Sequence, residues 1–183
     1  MNAQLPLKAS LAIATLLGLV LAHAGELGKA DYQAGKERIS QTFKADKTAC
    51  ASLAGNGKDI CIQEAKGRED VARAELEYRY SAKPEDQNKI GVTRAEATYA
   101  VARERCDDLA GNPKAICVTQ AEAQRTRGLA DAKLGRVVGE ASRDAEQEKR
   151  DAEYKVAAQK CDALAGDVKA SCMSDAKTRF GKS

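Results

Sequence analysis

Histidine is all but missing from this chain: the only one, His23, sits near the start. Beyond that point there is no usual general base, no imidazole metal ligand and no partner for a Ser-His or Cys-His pair. Tryptophan is absent and phenylalanine occurs twice, while much of the 43% hydrophobic share is alanine. Each alanine removes little area from water, so a deep apolar core is excluded. No C-x-x-C and no C-x-x-C-H occurs, which leaves thioredoxin-like, zinc-knuckle and c-type haem chemistry without support. Nor does one charge dominate: 30 basic and 27 acidic residues are interspersed and give a net +3. A clustered basic face is missing, and no nucleic-acid partner is expected.

Long apolar runs are also scarce. The one that exists, ASLAIATLLGLVL at 9–21, has 13 residues, too few for a helix to cross some 30 Å of hydrocarbon. Lys8 precedes it and Ala22-His23-Ala24 follows, so residues 1–24 read as a cleaved signal peptide. The expectation is a mature chain starting near Gly25, without an integral membrane segment. Its compartment would be the periplasm of a Gram-negative cell, or alternatively the medium as a secreted product. All six cysteines lie beyond the leader, in the oxidising setting where disulfides persist.

What is present is a repeat. CASLAGNGKDIC at 50–61, CDDLAGNPKAIC at 106–117 and CDALAGDVKASC at 161–172 share the pattern C-x-x-L-A-G-x-x-K-x-x-C, at a period of 55 to 56 residues. An aromatic residue stands seven positions before each first cysteine (Phe43, Tyr99, Tyr154), and an alanine four after each second one (Ala65, Ala121, Ala176). So many fixed offsets establish an internal repeat.

On one unbroken helix the two cysteines of a motif would lie about 16 Å apart along the axis. A disulfide requires Cα atoms within roughly 7 Å, so an intramolecular bond demands that the chain turn back. Gly55, Gly111 and Gly166 suit a left-handed position that ends a helix. Asn56, Asn112 and Asp167 follow, types favoured at turns and N-caps, and Pro113 suits a first helical position. Each motif therefore reads as a helical hairpin, with bonds Cys50–Cys61, Cys106–Cys117 and Cys161–Cys172. Closing a loop of this size stabilises by about 3 kcal/mol in the chain-entropy estimate. Leu53, Leu109 and Leu164, three after the first cysteines, are expected to cover the bonds. Lys58, Lys114 and Lys169 lie near outgoing helix starts, unfavourable for a cation. Pairing across the turn with Asp107, Asp108 or Asp162 would relieve them; Ala51 and Ser52 deny it to the first motif.

Helical sequence is expected over about 30–54, 58–81, 85–110, 113–165 and 168–180. Pro84 disfavours helix at the residue before it. Gly128, Gly135 and Gly139 form a small stripe on one helical face, read as tight packing against a neighbour or, alternatively, a docking groove. These glycines leave two options near 135–140: a break, or one very long helix over about 114–165. The units are expected at about 30–82, 85–139 and 140–183. Tyr32, Ile39 and Phe43 approximate an apolar stripe. Gly55-Asn56-Gly57-Lys58 is no phosphate loop, since Ser52 replaces its first glycine and Asp59 its Ser or Thr. Carboxylates interleave with lysines and arginines at surface ion-pair spacings. No catalytic residue, cofactor or metal is expected.

The leader together with three C-x-x-L-A-G-x-x-K-x-x-C hairpins resembles a group of small exported Ala/Lys-rich proteins of proteobacteria, labelled TolA-like or cell-envelope-biogenesis proteins. The resemblance covers the whole chain. It implies an envelope setting and an envelope protein or polymer as partner; it transfers no activity. Likeness to TolA itself is one of composition, because a retained anchor and a recognisable C-terminal globular domain are lacking. The expected architecture is all-α, an array of three disulfide-stapled antiparallel hairpins. The expected role is structural or interaction-based and non-enzymatic. A periplasmic module binding a peptide, lipid or polymer, or a thiol-redox or metal-sequestering protein, stands as the alternative. Oligomeric state is left open.

Overall fold

The computed structural model describes residues 27–182; the signal peptide read at 1–24 lies outside them. The described chain is all-α: α1 (Lys29–Cys50), α2 (Gly55–Ser81), α3 (Pro84–Arg105), α4 (Gly111–Asp162) and α5 (Gly166–Phe180), with a 3-10 turn at Cys106–Asp108 before α4. Alanine and long charged side chains favour helix locally. What interrupts them is chemistry at the turns. After Ser81 the chain reverses through Ala82, whose φ of 51° is left-handed, and Pro84 opens α3 at its first position. The Ser81 hydroxyl accepts the Lys83 N–H at 3.1 Å and donates to Asp86 at 2.6 Å, closing this tight turn.

Each helix packs against its neighbours in sequence: α1 on α2, α2 on α3, α3 on α4, α4 on α5. The result is an antiparallel array, not a closed bundle. Close approach comes from small residues. A methyl group built on Gly67 would lie 3.0 Å from Ala97 Cβ, one on Gly91 3.0 Å from Ala132 Cβ, and one on Gly128 2.8 Å from Ala95 Cβ. Gly35 receives Leu76 in the same manner.

Nine apolar residues are buried among those described, and no polar or charged one. The largest fully enclosed side chains are Leu76, Cys50, Cys106 and Cys161. Cystine sulfur thus occupies the place that leucine or phenylalanine holds in an ordinary core. Tyr32, Ile39 and Phe43 are half-buried, and Tyr32 stacks on Tyr80 with ring centroids 4.3 Å apart.

α4 is one continuous helix of 52 residues, about 78 Å long. It passes through Gly135 and Gly139 without a break. Glycine lowers helix propensity by only about 1 kcal/mol, which flanking helix formers offset. Of the expected small stripe, Gly128 packs against α3, whereas a methyl on Gly135 would meet nothing within 4 Å. No described helix is long and apolar enough to cross a membrane.

Candidate functional site

The three repeated turns are built alike. In each, the cysteine pair brings its Cα atoms to 5.6 Å, with Cys50 joined to Cys61, Cys106 to Cys117 and Cys161 to Cys172. The first cysteine lies within one residue of the incoming helix's end and is buried, while the second lies on the outgoing one and is more exposed. The leucine N–H of each motif donates to the carbonyl of its first cysteine: Leu53 to Cys50 at 3.1 Å, Leu109 to Cys106 at 3.1 Å, Leu164 to Cys161 at 3.0 Å. An extended alanine follows, and then Gly55, Gly111 or Gly166 at φ of +56°, +59° or +57°. That left-handed glycine is the first residue of the outgoing helix, not the residue just past the incoming one. Three residues stand between each first cysteine and that alanine (51–53, 107–109, 162–164), and they displace the glycine from the helix end. Pro113 consequently falls at the third residue of α4.

The leucines do not cover the bonds. Leu53, Leu109 and Leu164 are all exposed, because the turn peels away from the helix after the cysteine and carries them outward. The lysines behave as two sequences allow and one does not. Lys114 lies 2.8 Å from Asp107 and Lys169 3.0 Å from Asp162. Lys114 first, and then Arg103, hold the Asp107 carboxyl below its ordinary range.

The first two turns adjoin. Asn56 Nδ2 donates to the Glu104 carbonyl at 3.1 Å, and Arg105 bridges to Glu64 at 2.7 Å. Both ties are absent from the periodicity; they arise because α2 and α3 are antiparallel and bring one turn against the next. The third turn sits at the far end of α4, separated by its length.

Two grooves flank the α2–α3 pair. One, of about 790 Å³, is lined by charged side chains including Lys66, Asp70, Arg73, Lys89 and Glu96. Its edge carries Arg125 paired with Glu96 at 2.6 Å and set over the Tyr99 ring at 5.2 Å. Arg125 holds the Glu96 carboxyl below its usual value. The other groove, of about 750 Å³, has a floor of Val71, Ala72, Ala97, Val101 and Ala102. Arg105–Glu64 and Arg94–Glu75 span it as two ionic crossbars. The periodicity gives no clue to either groove, since each depends on the offset between neighbouring helices.

All six sulfurs are paired, so no thiolate is available as nucleophile or ligand while the bonds are intact. No cluster of three or more metal-ligating side chains occurs among the described residues. Tyr32 donates its hydroxyl to Glu77, and that bond, with burial, raises its pKa; the pair joins α1 to α2. The arrangement can hold surfaces in fixed relation and offer shallow grooves. No family model, curated protein or solved structure matches this chain.

Proposed function

We propose that this is an exported, non-enzymatic structural or interaction protein of the cell envelope, which presents charged helical surfaces on covalently fixed hairpins to an envelope protein or polymer. The observation that carries the reading is the placement of the three cystines, one at each repeated turn, where the interior is otherwise nearly all alanine. Such a frame depends on oxidation, and oxidation is supplied outside the cytosol. The test is alkylation in intact cells followed by mass measurement. An exported chain resists labelling until reductant is added, after which six thiols react. Immediate labelling of six thiols would refute export. Photo-crosslinking from exposed positions on α4 in the same cells should capture an envelope component; capture of cytosolic proteins alone would refute the proposed partner.

A binding module is the second reading, favoured by the apolar floor of the groove spanned by Arg94 and Arg105. An extended peptide laid between the crossbars would bury Val71 and Val101. Val101→Asp should abolish such binding while leaving the hairpins folded.

A further inference from the structure

The face of α4 turned away from α3 carries an apolar seam that nothing in the described chain covers. α3 and α5 both pack on the opposite side, through Gly128 and Ala132 and through Tyr154 and Cys161. Leu134, Val138, Ala141 and Ala145 follow at spacings of four, three and four, the period of a two-helix coiled coil. Leu134 is 61% exposed, Val138 59%, and Val137 beside them 46%. Beyond them, residues 141–150 are exposed on every side, because α3 starts at Pro84, which lines one groove with Gly139, and α5 begins to cover α4 only near Asp151.

Charges flanking the seam decide what fits it. Arg127 and Glu148, Lys133 and Asp144, and Asp131 and Lys149 are three opposite-sign pairs, each centred between residues 137 and 140. At about 100° per residue, Lys133 and Asp144 lie on one flank, Asp131 and Lys149 on the other. All six are exposed, and of them only Lys149 makes an ion pair within the described chain, to Glu146. A two-fold axis between residues 139 and 140 would set Lys133 against Asp144 and Asp131 against Lys149 on another copy, with Arg127 one helical turn from Glu148. The same axis places Leu134 against Ala145 and Val138 against Ala141, large against small. Parallel pairing would instead stack like on like along the seam, Leu134 on Leu134 and Ala145 on Ala145.

We infer that α4 is the interface of an antiparallel homodimer, a second copy of this chain seated along the Leu134–Ala145 seam and registered by the flanking charges.

Sedimentation of the full chain over a range of concentrations tests this, together with two charge-reversed variants, R127E/K133D and D144K/E148R. Wild type is expected to dimerise at about 100 µM or below. Each variant alone should associate at least about tenfold more weakly, and an equimolar mixture of the two should recover wild-type association. Val138→Lys should leave a monomer with unchanged helicity. Zero-length carbodiimide crosslinking of mixed light and heavy isotope-labelled wild type gives a readout that needs no variant: an intermolecular Lys133–Asp144 link is expected. A monomer at every concentration overturns the proposal. So does association that both charge-reversed chains retain, or that survives Val138→Lys, which would place the contact elsewhere.

Discussion

At the scale of single residues, two backbone positions with the same conformation carry different residues, and their stabilities should respond in opposite directions. Gly111 has a φ of +59° with nothing within 4 Å of where a methyl group would sit, and Ala82 has a φ of 51°. Gly111→Ala therefore costs backbone strain alone, about 1 kcal/mol, and Ala82→Gly should return a similar amount. Denaturant melts of the two variants check both signs. Acid should act through the carboxyls that cations hold low. Lys114 lowers Asp107, Arg125 lowers Glu96 and Lys182 lowers Asp151. Each titrates lower folded than unfolded, so its contribution is complete above the unfolded value and is lost as pH falls through the folded one. Stability should thus decline below roughly pH 4. Nuclear magnetic resonance should show the Asp107 carboxyl titrating low, and rising toward its ordinary value in Lys114→Ala. An unmoved titration there would refute the pairing.

At the scale of helices, the glycines of α4 separate. Gly128 meets α3 so closely that an added methyl would lie 2.8 Å from Ala95 Cβ, whereas Gly135 faces open space. Gly128→Leu should force α3 from α4 and destabilise by about 1–3 kcal/mol. Gly135→Ala, in mid-helix and free of contact, should stabilise by about 0.5–1 kcal/mol. Thermal melts followed by circular dichroism distinguish them, and two destabilisations would contradict the register of α3 on α4. The same close approaches explain how helices with so few large apolar residues pack at all: backbones draw together until alanine methyls touch.

At the scale of the whole molecule, stability rests on covalent bonds more than on burial. Each cystine closes a loop of eleven residues' separation, which the chain-entropy estimate values at about 3 kcal/mol. Reduction should therefore lower the melting temperature steeply, and hydrogen exchange should rise first in α1 and α5, each held by a single neighbour. Equal melting of oxidised and reduced chains would refute this. The 52-residue α4 also sets the dimensions. Scattering from the dilute chain should give a radius of gyration well above the roughly 15 Å of a globular domain of this length.

The hairpins are legible in the amino-acid sequence by itself, because they rest on local rules: glycine's left-handed tolerance, the reach of a disulfide, proline's effect on its predecessor. Element order and the cysteine partners follow from spacing along one stretch of chain. What the tertiary structure alone decided depends on where a neighbouring helix lies and ends. It settled that α4 runs unbroken, that Leu53, Leu109 and Leu164 face outward, that Leu76 rather than the aromatics fills the α1–α2 interior, and that Gly128 but not Gly135 is a contact. Helical periodicity marks a face of α4 without saying whether another helix reaches it. Only the endpoints of α3 and α5 leave Leu134 and Val138 uncovered.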